Sequence, residues 1–162
     1  MSYPAPTSLS PEEQAKYGLA TPAPMALADR VRFSELDRLN HVNNTAYLVW
    51  FETARVAYMM HCGLSSYTDD TTEPRLVIRR GVTDWLKEMV ADQPYMVTAR
   101  AIAYRNTSFT VAQEVWSNGV CHATFECVVV ILTPDGSARM PIPDAVLEYF
   151  HTVDGVPKRE TL

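Results

Sequence analysis

At 162 residues and 47% hydrophobic, the chain is the size of one globular domain and holds enough apolar residues for a core that needs neither disulfides nor a structural metal. Its net charge of −5, with no cluster of Lys or Arg, excludes a surface that tracks a nucleic-acid backbone. The three cysteines, Cys62, Cys121 and Cys127, are odd in number, lie in apolar sequence and lack ligand spacing; they read as buried reduced thiols, which suits the cytoplasm.

Residues 1–24 are rich in Pro, Ser, Thr and Ala and form an N-terminal extension without the basic region and apolar core of a signal peptide. Within it, Ser10-Pro11-Glu12-Glu13 combines a cap, a Pro at the first helical position and a capping-box Glu, which predicts one short helix ending at Gly18. Such an extension packs on the surface or on a neighbouring subunit. Across residues 25–36, Leu27, Val31 and Phe33 alternate with Asp29, Arg30, Arg32 and Ser34, the period of a half-buried first strand. Asp37 follows in a polar turn with Asn40, Asn43 and Asn44, and Asn40 tolerates the positive φ that such a turn needs. A helix then starts near Asn43, a good N-cap, and runs to His61. Between residues 46 and 60 only Glu52, Thr53 and Arg55 are clearly polar, so the helix is apolar on almost every face and has to be enclosed. Glu52 and Arg55 interrupt it well short of the roughly 20 apolar residues of a membrane span, so protein must surround it. Those two residues, three apart, are expected to pair on the helix surface, and Met59 and Met60 to be core.

Gly63 stops the helix, and a polar loop runs to Pro74. Residues 75–90, 95–105, 107–117 and 120–133 carry strand patterns rich in Val, Thr, Tyr and Trp, separated by turn signals of which Asn118-Gly119 is the strongest. On the last of these strands His122 is expected to point outward. The final three strands form a meander, and a short helix beginning at Pro143-Asp144 precedes a polar tail, residues 152–162. One strand, a buried helix and a run of antiparallel strands is an α+β order and not a doubly wound parallel one.

The segment over residues 33–64 resembles the 4-hydroxybenzoyl-CoA thioesterase-like branch of the hotdog acyl-CoA thioesterases. Its HVNNTAY, FETAR and closing CGL match that branch's signature of an Asp, a short turn and a Tyr-containing helix. The resemblance implies a curved antiparallel sheet wrapped around one long central helix, over residues 25–151. It also implies hydrolysis of an acyl-CoA thioester, with Asp37 as general base or as nucleophile, no cofactor beyond CoA as part of the substrate, and an active site at the junction of a homodimer or homotetramer. An Asp before a helix is otherwise a cap or a solvated charge; catalysis asks for an ionised carboxylate beside donors that stabilise the thioester oxygen, and the free N–H groups of a helix start supply those. A metal shared by Asp37 and His41 is excluded by the lack of further ligands at suitable spacing.

His41, Asn43 and Asn44 are candidate substrate contacts, with turn-forming and capping roles as the alternative. Aligned residues 77–109 bring Arg105 and Ser108 onto the branch's CoA-contacting strand edge, while Asn106 and Thr107 stand where cations would be expected. The family's polarising backbone N–H falls near Arg75. Two other readings stay open: a hotdog dehydratase or hydratase with a His–carboxylate pair, and a non-catalytic acyl-thioester-binding module.

Overall fold

The computed structural model describes residues 6–69 and 71–158; the first five residues of the extension and the last four of the polar tail lie outside the described residues. In chain order the elements are α1 (Pro11–Ala15), β1 (Met25–Arg30), a 3-10 turn (Phe33–Glu35), α2 (Asn44–His61), β2 (Arg75–Trp85), β3 (Pro94–Tyr104), β4 (Ser108–Ser117), β5 (Val120–Leu132) and α3 (Asp144–Thr152). The strands form one antiparallel sheet in the order β1-β3-β4-β5-β2, with α2 against one face. This is the α+β hotdog arrangement.

The packing follows from the pattern. In β4, Phe109, Val111, Gln113 and Val115 are buried and the residues between them are half-buried, the period of a strand with one face on a core. Facing them, α2 buries Ala46, Tyr47, Trp50, Phe51, Ala54, Ala57, Tyr58 and Met59. Register slips at Ile78/Arg80, Ala101/Ala103 and Val115/Trp116 break the ladders. Each extra residue bends its strand and raises the local twist, which lets the sheet curl around the helix. At the β4–β5 hairpin, Asn118 and Gly119 both take positive φ, 49° and 76°, as the tight turn requires.

The extension folds back on its own sheet. Ser10 and Glu13 make both bonds of the capping box, and the buried Gln14 side chain bonds the backbone of Leu9 and Ala23. Gly18 lies so close to the β4–β5 turn that a Cβ there would fall 2.3 Å from the Gly119 Cα, so no other residue fits.

Several local expectations are corrected. The first strand ends at Arg30, because Arg32 and Glu35 close a 3-10 turn; Phe33 is 85% exposed rather than core. β2 stops at Trp85, where the Leu86 and Lys87 N–H groups turn onto the His122 carbonyl. His122 itself is buried, because the slip at Val115/Trp116 makes it the extra residue of a bulge and breaks the alternation. Arg55 does not pair with Glu52. It donates to Gln113 Oε1 at 3.1 Å and lies over the Phe125 ring, while Gln113 Nε2 donates to the Phe51 carbonyl at 2.7 Å. An unsatisfied buried amide costs about 1–3 kcal/mol, against about 0.2–0.5 for a surface pair, so Arg55 serves the amide. Met60 is only half-buried, and α2 is not enclosed all round within one chain: Leu48 and Val49 are 41% and 59% exposed.

Candidate active site

Asp37 opens a tight turn between the first strand and α2. Leu36 and Val42 bridge its two ends, the Asp37 N–H donates to the His41 carbonyl at 2.8 Å, and Asn40 takes φ 61° at the corner. The Asp37 carboxylate is half-buried, and its Oδ1 accepts from the Leu39 N–H at 2.8 Å and the His41 N–H at 3.3 Å. This is the Asx geometry by which Asp forms turns. Among the described residues no hydrogen bond engages Oδ2. One oxygen therefore builds the turn and the other is available to a substrate or a water.

The turn delivers the chain straight into α2. Asn43 caps the helix through Oδ1, which accepts from the Thr45 N–H at 2.9 Å, and its own N–H donates to the Glu35 carbonyl. The positive end of an 18-residue helix, capped by Asn43, thus begins six residues after Asp37, at the end of the same hydrogen-bonded turn. On the first-strand side, Glu35 ties the entry down, accepting from the Trp50 indole at 2.8 Å and the Arg32 N–H at 2.7 Å. Trp50 stacks on Tyr95 at 4.0 Å and Tyr47 tilts against Trp50 at 4.9 Å. Burial, reinforced by the nearby Glu88 charge, pushes the Tyr47 hydroxyl up to about 12, so it stays protonated. On the other side stands the β2–β3 loop, where the Glu88 carboxylate faces His41 Nδ1 at 3.4 Å and the Met89 carbonyl accepts from the Val42 N–H at 2.9 Å.

Asp37, His41, Asn43 and Asn44 are thus brought together. Arg75, Arg105 and Ser108 are not. The register pairs Arg75 with Leu132 and Ser108 with Val130, whereas the Asp37 turn sits beside the loop that follows Trp85, paired with Ala123. The 11 residues of β2 separate the two ends, a span of roughly 35 Å at about 3.3 Å per residue. Away from the turn, Arg105 and Ser108 line a cavity of about 560 Å³ together with Arg79 and Arg80 in the middle of β2, Tyr104 and Thr110. Arg79 and Arg80 supply cations that Asn106 and Thr107 lack. Their only signal in the sequence is an Arg pair inside an apolar strand, which the strand pattern masks; Glu35 and Glu88 carry no local signal at all. Arg75 lies outside this cavity, against the turn at Gly136.

The thiols take no part in this site. Burial pushes Cys62 up to about 12 and Cys121 up to about 11, and raises Cys127 as well, so all three stay protonated and unreactive. Cys62 and Cys127 are buried and Cys121 half-buried.

A long helix held in a curled antiparallel sheet, with a carboxylate turn at its N-terminus, defines the class of protein: a hotdog domain of the thioesterase type. The family model of the thioesterase-like superfamily matches residues 31–150, and the chain belongs to that superfamily. Among solved structures, a thioesterase-superfamily protein from Jannaschia sp. CCS1 is 39% identical with a TM-score of 0.86, over 95% of this chain and 98% of that one. A thioesterase from Thermus thermophilus, complexed with coenzyme A and Zn, is 27% identical with a TM-score of 0.73, over 84% of this chain and 98% of that one. A predicted thioesterase from Bacillus stearothermophilus is 28% identical with a TM-score of 0.72, over 83% of this chain and 98% of that one. No curated protein sequence matches the chain.

Proposed function

We propose that the chain hydrolyses acyl-CoA thioesters to free acid and CoA, with Asp37 as the catalytic carboxylate and no cofactor beyond the CoA of the substrate. The observation that carries this reading is the division of labour at Asp37: Oδ1 is consumed in the turn while no hydrogen bond among the described residues engages Oδ2, in the turn that leads into the N-terminus of α2. A carboxylate so held acts as general base on water or attacks the carbonyl itself, and the helix end stabilises the oxygen as it becomes anionic. A thiolate leaves without a strong acid. Superfamily membership and the coenzyme A complex of the Thermus relative support a thioester of this type.

The second half of the reading is a homodimer. β2 is an edge strand 11 residues long, unpaired on its outer side, and exposes Val77, Ile78, Val82 and Trp85 at 40–46%. An edge of this length is a template for another strand. Two copies paired antiparallel along β2 would set the Arg75 end of one strand against the Trp85 end of the other. That pairing carries the partner's Arg105 and Ser108, which lie level with Val77, toward the end of the sheet where Asp37 stands, with Arg79 and Arg80 near the centre of the paired strands. CoA phosphates then meet Arg79, Arg80, Arg105 and Ser108 of one copy while the thioester meets Asp37 of the other. Among the described residues no helix is long and apolar enough to cross a membrane. Reduced, buried thiols agree with residence in the cytoplasm.

One observation favours a second reading: the His41–Glu88 contact supplies the His–carboxylate pair that a hydratase needs. Thiol release from a panel of aliphatic and aromatic acyl-CoAs tests the first reading. Hydration of crotonyl-CoA without thiol release would replace it with the second, and neither reaction would leave a binding module.

A further inference from the structure

The loop over residues 86–93 is the support on which the Asp37 turn rests. Its Met89 carbonyl accepts from the Val42 N–H, its Glu88 carboxylate faces His41, and the Met89 side chain is fully buried in the same cluster as Val42, Ala46 and Tyr47. What holds this loop is a buried side chain from a distant strand. His122, 3% exposed, places Nδ1 3.2 Å from the Lys87 carbonyl and 3.1 Å from the Glu88 carbonyl. Its own carbonyl takes the Leu86 and Lys87 N–H groups at 2.8 and 3.1 Å.

The neighbours of His122 decide which ring nitrogen carries the proton. The Val90 N–H donates to Gln93 Oε1 at 3.2 Å, so the Gln93 amide turns its NH₂ toward Ser117 Oγ at 2.9 Å and His122 Nε2 at 3.4 Å. Ser117 uses its own proton on the Pro94 carbonyl at 2.6 Å. His122 Nε2 therefore faces a donor and has to present its lone pair, which puts the proton on Nδ1, aimed at the two loop carbonyls. In that arrangement each contact of the network, from Ser117 through Gln93 and His122 to the Lys87 and Glu88 carbonyls, pairs a donor with an acceptor.

We propose that His122 is a positioning residue for the site: its Nδ1–H fixes the 86–93 loop, and through Met89 and Glu88 the loop fixes the Asp37 turn. The assignment of a catalytic consequence rests on the reading of Asp37 as the catalyst; the mechanical coupling of loop and turn does not. Nothing in the sequence signals this role, since His122 lies far from Asp37 in the chain and on a strand whose alternation would turn it outward.

The test compares His122→Leu, which removes the donor, with His122→Asn, whose Nδ2 can take the place of Nδ1. His122→Leu is expected to speed amide hydrogen exchange in the peptide over residues 36–43 at least tenfold while peptides of β3 and β4 keep their protection. Its kcat on an acyl-CoA should fall by about tenfold to a hundredfold, the scale expected when a catalytic group is misplaced by an ångström, with KM nearly unchanged, and His122→Asn should recover most of both effects. Unchanged exchange at residues 36–43 in a folded His122→Leu protein would overturn the proposal. So would a uniform loss of protection across the sheet, or failure of His122→Asn to recover either readout. If instead Asp37→Asn proves as fast as the parent, the catalyst assignment falls, and the exchange result still decides the coupling.

Discussion

Replacing Asp37 by Asn tests the site most directly, because the structure separates what the two carboxylate oxygens do. Asn can keep an oxygen at the Oδ1 position, accepting from the Leu39 and His41 N–H groups. Its NH₂ then takes the Oδ2 position, where no hydrogen bond among the described residues is lost. What is lost structurally is the charge on two hydrogen bonds at a half-buried site. Charged bonds exceed neutral ones by about 1 kcal/mol each, about 2 kcal/mol in all, so the variant should stay folded and unfold no more than about 4–8 °C below the parent. What is lost chemically is the base or nucleophile, and thiol release should fall by about 10²–10⁴-fold. The assay is continuous detection of free CoA thiol at saturating acyl-CoA, with thermal unfolding and sedimentation of the same samples. A variant that is folded, assembled like the parent and within a few-fold of its rate would refute the assignment. A rate loss that only tracks a fall in melting temperature would reduce Asp37 to a builder of the turn.

Three further outcomes are expected. Val82→Glu, a charge placed on the exposed β2 edge, should convert the assembly to the 18.2 kDa monomer by sedimentation and abolish thiol release together; a parent protein that already sediments as monomer at micromolar concentration removes the shared site. Arg80→Gln combined with Arg105→Gln should raise KM for acyl-CoA about tenfold or more, the scale of lost charge-assisted bonds to phosphate, while leaving the corresponding N-acetylcysteamine thioester unaffected; equal losses on both substrates would show that the cavity does not read the nucleotide. Asp154, half-buried against Tyr58 and the Ala101 N–H and with Oδ1 unpartnered among the described residues, has its carboxyl raised to about 6 by burial. The folded state then holds this proton more tightly than the unfolded chain, so its contribution is present below about pH 4 and lost as pH rises through 6. Asp154→Asn should gain melting temperature relative to the parent between pH 4 and pH 7, and a pH-independent difference would refute that origin.

The fold was legible because its determinants are local and periodic. Strand alternation, the Asn118-Gly119 turn and the Ser10–Glu13 capping box each depend on residues within a few positions of one another, and each element formed. Asn40 and Asn43 were legible for the same reason: positive φ and helix capping are properties of single side chains in a short backbone segment. Failures came where another polar pairing, distant or local, outranked the expected pattern. Arg55 left Glu52 for a buried amide on β4, and Phe33 left the core because Arg32 and Glu35 could close a turn.

The same distinction divides the site. The Asp37 turn and the helix start are one continuous segment, so a sequence reading placed them together. Arg105 and Ser108 were read beside the same chemistry, yet one chain holds them at the opposite end of the sheet from Asp37. A strand cannot be folded back on itself to bring its ends together, so no rearrangement of a single chain within this register unites them. The proposed second copy, entering along the open β2 edge in the antiparallel sense, is what would bring an arginine cavity toward the carboxylate. The proposed shared site therefore stands or falls with oligomerisation: if the monomer retained full turnover on acyl-CoA, the nucleotide would have to be bound somewhere other than Arg79, Arg80 and Arg105.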